Sequence, residues 1–216
     1  PWHWSYLEYT RKSKYGPIIT RLNYSKRFNK TGFQLEAESF PKLSKKSYGY
    51  INVGFSPTEL YPDFRTGLEY YRITSKTTEA SLGARMLLFN NDAVYIITGH
   101  AGKYIGKNWI SFRPFWALGN NTNYVSGALI YRRYLKNEKN YTGILLGYGS
   151  SPDENTRFNN GINTIGFKEY KAKIYYNKTL GYQWILNSGI TYTYEEFVKT
   201  MYRNRITLEA TIYYSF

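Results

Sequence analysis

Side chains that can do acid–base or nucleophilic chemistry are scarce in this chain of 216 residues. It has no cysteine, which excludes thiolate nucleophiles, thiolate metal ligands and disulfide bonds. Its two histidines, His3 and His100, are too few for a multi-histidine metal centre. The sequence also has no phosphate-binding loop and no nucleophile elbow. We therefore expect no cofactor and no metal.

A hydrolytic site would have to be built around His100, because a serine hydrolase needs a histidine as general base. Ser81 and Thr98 are its candidate neighbours. The simpler interpretation is that His100 is an amphipathic residue at an interface. The acids Glu36 and Glu38 share one face of a strand-like segment, but they lie beside many arginines, so ion pairing explains them. We predict that the protein is not an enzyme.

Basic residues dominate the charged side chains, with 29 Lys and Arg against 15 Asp and Glu and a net charge of +14. Some of these bases share the polar face of alternating segments with five acids. The bases are Arg21, Arg27, Arg65, Arg85, Arg113, Arg132, Lys173 and Arg205, and the acids are Glu36, Glu38, Glu69, Glu79 and Glu209.

Two interpretations of this basic face stay open. It is either an interior ion-pair network that makes the protein rigid, or the wall of a narrow conduit whose bases contact anionic solutes. Basic and aromatic residues together also describe nucleic-acid binding proteins, but those place their aromatic rings in one groove. Here the rings lie near the ends of many segments, so no nucleic-acid partner is expected.

The elements that position these residues are β-strands, because polar and apolar residues alternate with a period of two. In the last stretch Ile206 and Leu208 fall on one face, and Arg205 and Glu209 fall on the other. The segment Trp2–Arg11 is also strand-like. The alternation predicts twelve further long strands, at 17–28, 31–41, 48–57, 63–75, 79–89, 92–102, 107–118, 123–135, 140–150, 169–180, 183–194 and 204–216.

Strand length and aromatic placement indicate which face is turned outward. The segments are near the roughly 9–11 residues of a tilted bilayer-spanning strand. Tyr and Trp, including Trp109 and Tyr134, cluster near strand ends, which is typical of the girdles at the two surfaces of a membrane. The last strand ends on Phe216 and is similar to the C-terminal signal of bacterial outer-membrane barrels. We predict an all-β protein, a transmembrane antiparallel up-and-down β-barrel, forming one domain over residues 1–216.

Strand count and orientation follow from this prediction. With Phe216 on the periplasmic side, the longest connections, Ser150–Lys168 and Glu195–Arg203, lie outside the cell, as expected for such barrels. Twelve strands close an antiparallel barrel, whereas Trp2–Arg11 would make thirteen. Our hypothesis is that a partner strand precedes Pro1, which would bring the count to fourteen.

Short motifs spread over nearly the whole chain resemble the YaiO family of outer-membrane β-barrel proteins. Each motif is short, so the specificity comes from their order and spacing. The matching stretches are Tyr15-Gly16-Pro17, Gly32–Pro41, Tyr61–Arg65, Ala80–Arg85, Gly102–Trp109 and Gly147–Pro152.

The resemblance implies an integral protein of the outer membrane of a Gram-negative bacterium, in contact with outer-membrane lipids and lipopolysaccharide. It implies no settled activity. Relatives occur near polysaccharide genes, so by association we expect a non-enzymatic envelope barrel that assists export or passage of an anionic polysaccharide. The alternative is a structural subunit with a sealed lumen, which acts as the scaffold of a larger envelope complex.

Overall fold

A computed structural model describes residues 2–27, 29–90, 92–118, 123–149, 158–159, 162–163, 168–198 and 200–216. All regular elements of this part are β-strands. In these ranges no helix is long and apolar enough to cross a membrane. The strands are β1 His3–Ser13, β2 Gly16–Arg27, β3 Lys30–Ser39, β4 Ser47–Phe55, β5 Phe64–Ile73, β6 Thr78–Phe89, β7 Asp92–Ile105, β8 Asn108–Leu118, β9 Asn123–Tyr134, β10 Tyr141–Tyr148, β11 Phe158–Asn159, β12 Ile162–Asn163, β13 Glu169–Leu180, β14 Trp184–Val198 and β15 Met201–Tyr214.

Thirteen of these strands form one antiparallel up-and-down sheet. Neighbours in the sheet are also neighbours along the chain, except that β13 follows β10, and the short β11 and β12 pair with each other. The twelve predicted strands and Trp2–Arg11 are all confirmed, with ends within four residues of those predicted. The sheet strands contain from eight to fifteen residues, long enough to span a bilayer when tilted.

The connection predicted at Glu195–Arg203 is wrong over most of its length. β14 continues to Val198 and β15 begins at Met201, so a long hairpin replaces the loop. The aromatic residues Phe197 and Tyr202 favour extended backbone here, and the Glu195–Arg203 pairing adds a charge contact across the two strands. The predicted connections at 119–122 and, apart from residues 158–159, 162–163 and 168, at Ser150–Lys168 lie outside the described residues.

Burial is inverted relative to a soluble β-sandwich. On β3 the side chain of Glu36 is 2% exposed while the adjacent Leu35 is 61% exposed. On β5 Glu69 is buried and Leu68 is exposed, and Leu208 on β15 is exposed as well. We call the face with buried polar side chains the polar face and the opposite one the apolar face. An apolar skin over a polar interior is the arrangement of a barrel in lipid.

The chain forms two compact units. Unit 1 contains Pro1–Gly99, Phe115–Val125 and Pro152–Gly166, and unit 2 contains His100–Pro114, Ser126–Ser151 and Phe167–Phe216. Each unit has its own polar face. The prediction of one domain over residues 1–216 stays a prediction.

Candidate functional site

The polar face of unit 1 is organised around the carboxylate of Glu36 on β3. Arg21 donates to it at 3.3 Å, and Asn23 and Asn52 donate at 3.0 and 3.1 Å. Arg65 pairs with it at 3.2 Å. We call these five residues, together with Glu8, which pairs with Arg21 at 2.7 Å, the Glu36 cluster. Two arginines and two amides neutralise and hydrogen-bond one buried acid, as a buried charge requires.

Strand register explains how Arg65 reaches Glu36 across an intervening strand. Glu36 is paired with Gly54 on β4, and Gly54 is paired with Arg65 on β5. A Cβ atom at Gly54 would lie 2.7 Å from Cγ of Arg65. Because Gly54 has no side chain, the aliphatic stem of Arg65 can lie across β4 with its guanidinium group beside Glu36.

The other acids of this face also have donors. Arg85 pairs with Glu69 at 3.6 Å, and the hydroxyl of Ser81 donates to the same carboxylate. The remaining two acids receive tyrosine hydroxyls: Tyr48 donates to Glu79 at 2.8 Å, and Tyr50 donates to Glu38 at 3.4 Å. Unit 1 therefore has a connected network of charges and hydroxyls.

The connection between β4 and β5 folds onto the same polar face. Leu60 and Tyr61 are each 1% exposed, which places them among the most buried side chains in the described part of the chain. Leu60 lies against Gly32, whose missing Cβ would be 2.7 Å from that of Leu60. The hydroxyl of Thr58 accepts the backbone N–H of Phe33 at 3.2 Å. Residues 56–63 thus cover part of the polar face at the end of β2 and the start of β3.

Burial raises the pKa of the Tyr61 hydroxyl to about 12, although the nearby Arg27 acts in the opposite direction. Removing this hydroxyl from water penalises its anionic form. The neutral phenol is therefore the form that the folded connection holds.

An apolar cluster on the polar face of unit 1 was missed by the sequence interpretation. The pattern predicts which residues share a face, but not that part of the buried face is apolar. Phe89 and Tyr124 pack against this cluster. Its buried members are Leu87, Val94, Ile96, Phe115 and Ala117.

The polar face of unit 2 uses the same register device with an aromatic ring. Arg132 on β9 is paired with Gly143 on β10, which is paired with Tyr175 on β13. A Cβ atom at Gly143 would lie 2.3 Å from Cζ of Tyr175, so the ring lies over the glycine. Nε of Arg132 then donates to the Tyr175 hydroxyl at 3.0 Å.

A row of aromatic rings extends from Tyr175 along this polar face. The centroid of Tyr175 is 6.1 Å from that of Tyr141, which is 5.6 Å from Tyr134. Tyr134 is 6.1 Å from Tyr104, and Tyr104 is 4.4 Å from Trp109. We call these five residues the aromatic strip. The ring of Trp109 lies over Gly102, at 2.3 Å from where a Cβ atom would be.

Several charged side chains on the polar face of unit 2 are more accessible than the Glu36–Arg65 pair of unit 1. Lys173 pairs with Glu209 at 2.5 Å, and these side chains are 23% and 32% exposed. Glu195 pairs with Arg203 at 2.6 Å and with Arg205 at 3.0 Å. Lys171 and Glu169 form a further pair at 3.1 Å. Solvent reaches several of these charges, so they remain able to attract other ions.

The apolar face of unit 2 has aromatic rings of its own near the ends of four strands. Tyr148 is 5.4 Å from Tyr170, Tyr170 is 6.5 Å from Tyr194, and Tyr194 stacks on Tyr202 at 5.1 Å. These rings lie on adjacent strands and are exposed. Such a row matches the aromatic girdle of a membrane barrel, where the ring meets lipid and the hydroxyl meets water.

Comparison with known families agrees with this architecture. A family model described as the YaiO membrane beta barrel domain matches residues 1–154 of the chain. The chain belongs to this family. It is an all-β, antiparallel up-and-down outer-membrane β-barrel, integral to the membrane. No curated protein and no solved structure matches it.

In this YaiO-family barrel the eight predicted basic residues have different surroundings. Arg21, Arg65, Arg85, Lys173 and Arg205 form the ion pairs described above. Arg27 is buried with its guanidinium 5.3 Å from the ring of Trp2. Arg113 is half-buried on β8. Their contact with an anion stays a prediction.

Arg132 differs from the five predicted bases that form ion pairs. Within the described part of the chain its partners are tyrosines and not carboxylates, since it donates to Tyr175 and lies 5.2 Å from the ring centroid of Tyr141. Its positive charge is therefore not neutralised by an acid there.

The prediction that Trp109 and Tyr134 belong to the outer girdle is wrong. Trp109 is four residues from Arg113, and Tyr134 is two residues from Arg132. Even spacing on a strand places each ring on the polar face with its arginine. Proximity to a strand end indicates an aromatic belt but does not show which face carries it.

The candidate hydrolytic residues are engaged in other contacts. His100 stacks on Trp109 at 5.8 Å, and Ser81 donates to Glu69. In the described ranges no group of three or more His, Asp or Glu side chains is arranged to hold a metal. The expectation that the protein is not an enzyme stays a prediction.

Proposed function

We propose that this barrel is a non-enzymatic protein of a Gram-negative envelope that assists the passage of an anionic polysaccharide across the outer membrane. The observation that carries the proposal is the polar face of unit 2. It combines half-exposed cationic side chains with Arg132, whose charge has tyrosine partners in place of an acid. Basic groups along a pore wall favour anions over cations.

The solvent exposure of individual cationic side chains supports this function more than the net charge of the chain does. Arg203 and Arg205 keep 32% and 28% of their side chains exposed, although both pair with Glu195. Two arginines share the carboxylate of Glu195. A polyanion that passes such a surface is attracted without being bound in a closed pocket.

The second candidate function is a scaffold with a sealed lumen. It is favoured by the Glu36 cluster and by residues 56–63, which together leave Asn23 and Gln34 with no exposed surface. A face packed in this way supports the wall and gives a solute no room. The scaffold would act through envelope partners, recovered by pull-down from native membranes.

Planar-bilayer conductance separates the two functions. Passage predicts a measurable current whose reversal potential in a KCl gradient shows anion preference. Arg132→Gln should lower that preference, whereas Lys26→Gln, which removes an exposed lysine outside the polar face of β2, should not. Absence of any current from folded protein would reject passage and leave the scaffold.

Outer-membrane lipids and lipopolysaccharide are the proposed surroundings of the apolar face. The exposed tyrosine row of unit 2 suits the boundary between acyl chains and headgroups. Reconstitution into vesicles with and without lipopolysaccharide tests this. We expect a higher thermal midpoint when lipopolysaccharide is present, and an unchanged midpoint would argue against specific contact.

A further inference from the structure

We propose that the aromatic strip of unit 2 binds the sugar rings of an acidic saccharide, with Arg132 as the contact for its carboxylate. The inference rests on the proposed function, because it names the surface that an anionic polysaccharide would follow. It adds a site, made of Tyr104, Trp109, Tyr134, Tyr141 and Tyr175, and a ligand class, a saccharide that carries carboxylates.

The spacing of the rings suits a chain of sugar units. Consecutive centroids are 4.4 to 6.1 Å apart over four steps, so the five rings form an unbroken row. The C–H faces of a pyranose pack on aromatic faces through dispersion and burial of apolar area. Each contact is weak, and a row of similar contacts lets a polymer move from one to the next.

Exposure of the rings changes along the strip. Trp109 at one end is half-buried, the adjacent Tyr104 is 44% exposed, Tyr134 and Tyr141 are half-buried, and Tyr175 at the other end is 8% exposed. The accessible rings can therefore contact a ligand. The buried Tyr175 instead serves as a support, because it lies over Gly143 and orients Arg132.

Arg132 supplies the preference for an acid. Its Nε donates to Tyr175, and its guanidinium group lies 5.2 Å from the ring centroid of Tyr141. The remaining N–H groups of a guanidinium are arranged to donate to both oxygens of a carboxylate. In the described part of the chain this cation has tyrosine partners, and its place beside the rings of Tyr141 and Tyr175 lets it distinguish an acidic sugar from a neutral one.

The chemistry of the strip also differs from ordinary core packing. The apolar cluster of unit 1 is made of Leu, Val, Ile, Phe and Ala, which offer no hydrogen-bonding groups. The strip consists of four tyrosines and one tryptophan, whose polar tips can pair with sugar hydroxyls. Binding sites are typically lined by aromatic rings with a few placed polar groups.

Binding to the purified, folded barrel tests the inference. The probes are hexagalacturonate, which is acidic, and maltohexaose, which is neutral, and the measurement is titration calorimetry. We expect hexagalacturonate to bind more tightly. Tyr141→Ala should weaken its binding by about two- to twelvefold, the range for loss of one aromatic contact, and Tyr141→Phe, which keeps the ring, should retain binding.

Two further variants complete the design. Arg132→Gln should remove the preference for the acidic probe while binding to both probes persists. Tyr170→Ala is the matched control, since it removes an exposed tyrosine ring of unit 2 from the apolar face. No binding by the folded wild-type barrel, or an equal loss in Tyr170→Ala, would overturn the inference.

Conductance on the same variants keeps this inference distinguishable from the proposed function. If the barrel conducts anions but binds neither probe, the proposal of passage stands and the proposal of saccharide binding by the aromatic strip is rejected. A barrel that binds hexagalacturonate through Tyr141 but carries no current retains the strip and rejects passage.

Discussion

The polar faces of the two units use one structural device for two purposes. In unit 1 the stem of Arg65 lies over Gly54 and brings a cation to the carboxylate of Glu36. In unit 2 the ring of Tyr175 lies over Gly143 and brings a hydroxyl to a cation. A glycine in register with two interior residues lets a long side chain cross a strand. The chemistry of the crossing side chain then decides whether the face is neutralised or stays charged.

Exposure differs in the same direction as the chemistry. In unit 1 Glu36 and Arg65 are 1% and 6% exposed, whereas Glu209 in unit 2 is 32% exposed. Buried ions need all their partners, because removing one leaves an uncompensated charge. Exposed ions are screened and can exchange partners. We infer that unit 1 contributes rigidity and unit 2 contributes accessible charge.

Removing the central acid of each unit gives the largest expected contrast. Glu36→Ala should destabilise the protein by about 3–5 kcal/mol, because Arg65 and Arg21 lose a buried partner. Glu209→Ala should cost about 1 kcal/mol or less, because water can solvate Lys173. Urea unfolding in lipid vesicles measures both. Equal losses would contradict the assignment of rigidity to unit 1.

Adding a side chain at Gly143 tests whether the ring of Tyr175 positions Arg132. A methyl group in Gly143→Ala would overlap the Tyr175 ring and should cost about 1–3 kcal/mol, as overpacking does. Near-ultraviolet circular dichroism should change as the ring moves. Gly147→Ala is the control on the same strand, because its nearest contact, Cβ of Lys171, is 3.4 Å away. A similar loss of stability in both variants would show that overlap with the Tyr175 ring is not its cause.

The strand pattern could be predicted because most strands have one mostly apolar and one mostly polar side. Leu35 and Glu36, or Leu208 and Glu209, differ in every property that decides which way a side chain faces a membrane. Face assignment of Arg21, Arg65 and Arg132 followed from the same alternation. It needed no knowledge of their partners.

Partners across strands could not be predicted, because they depend on register and on missing side chains. Nothing in the spacing of Glu36, Gly54 and Arg65 shows that these residues form one row. The inward fold of Leu60 and Tyr61 was equally hidden, since a connection has no periodicity to reveal its direction. The one signal in the sequence is a glycine on the polar face of a strand whose neighbouring strands carry long side chains. Such a glycine could have indicated that a side chain lies across the strand.

Titration of Tyr61 tests whether residues 56–63 stay folded onto unit 1. With a folded pKa of about 12 against about 10 when exposed, burial of the neutral phenol stabilises the protein fully below pH 10. That contribution is lost as the pH rises towards 12. Stability should therefore fall over this range in the wild type more than in Tyr61→Phe. The urea midpoint measures stability, and tyrosinate absorbance follows the ionisation. Identical pH profiles would show that this hydroxyl is not buried.

Of these variants, Lys30→Ala is expected to have the smallest effect on stability. Lys30 and Glu59 form an ion pair between the start of β3 and the 56–63 connection, but their side chains are 47% and 57% exposed. An exposed pair of this kind contributes about 0–1 kcal/mol, and salt reduces it further. The urea midpoint should therefore barely move, and the alkaline loss of stability due to Tyr61 should remain. If Lys30→Ala removed that alkaline step, a surface charge and not the burial of Leu60 and Tyr61 would hold the connection in place. The rigidity of unit 1 would then depend on a surface ion pair.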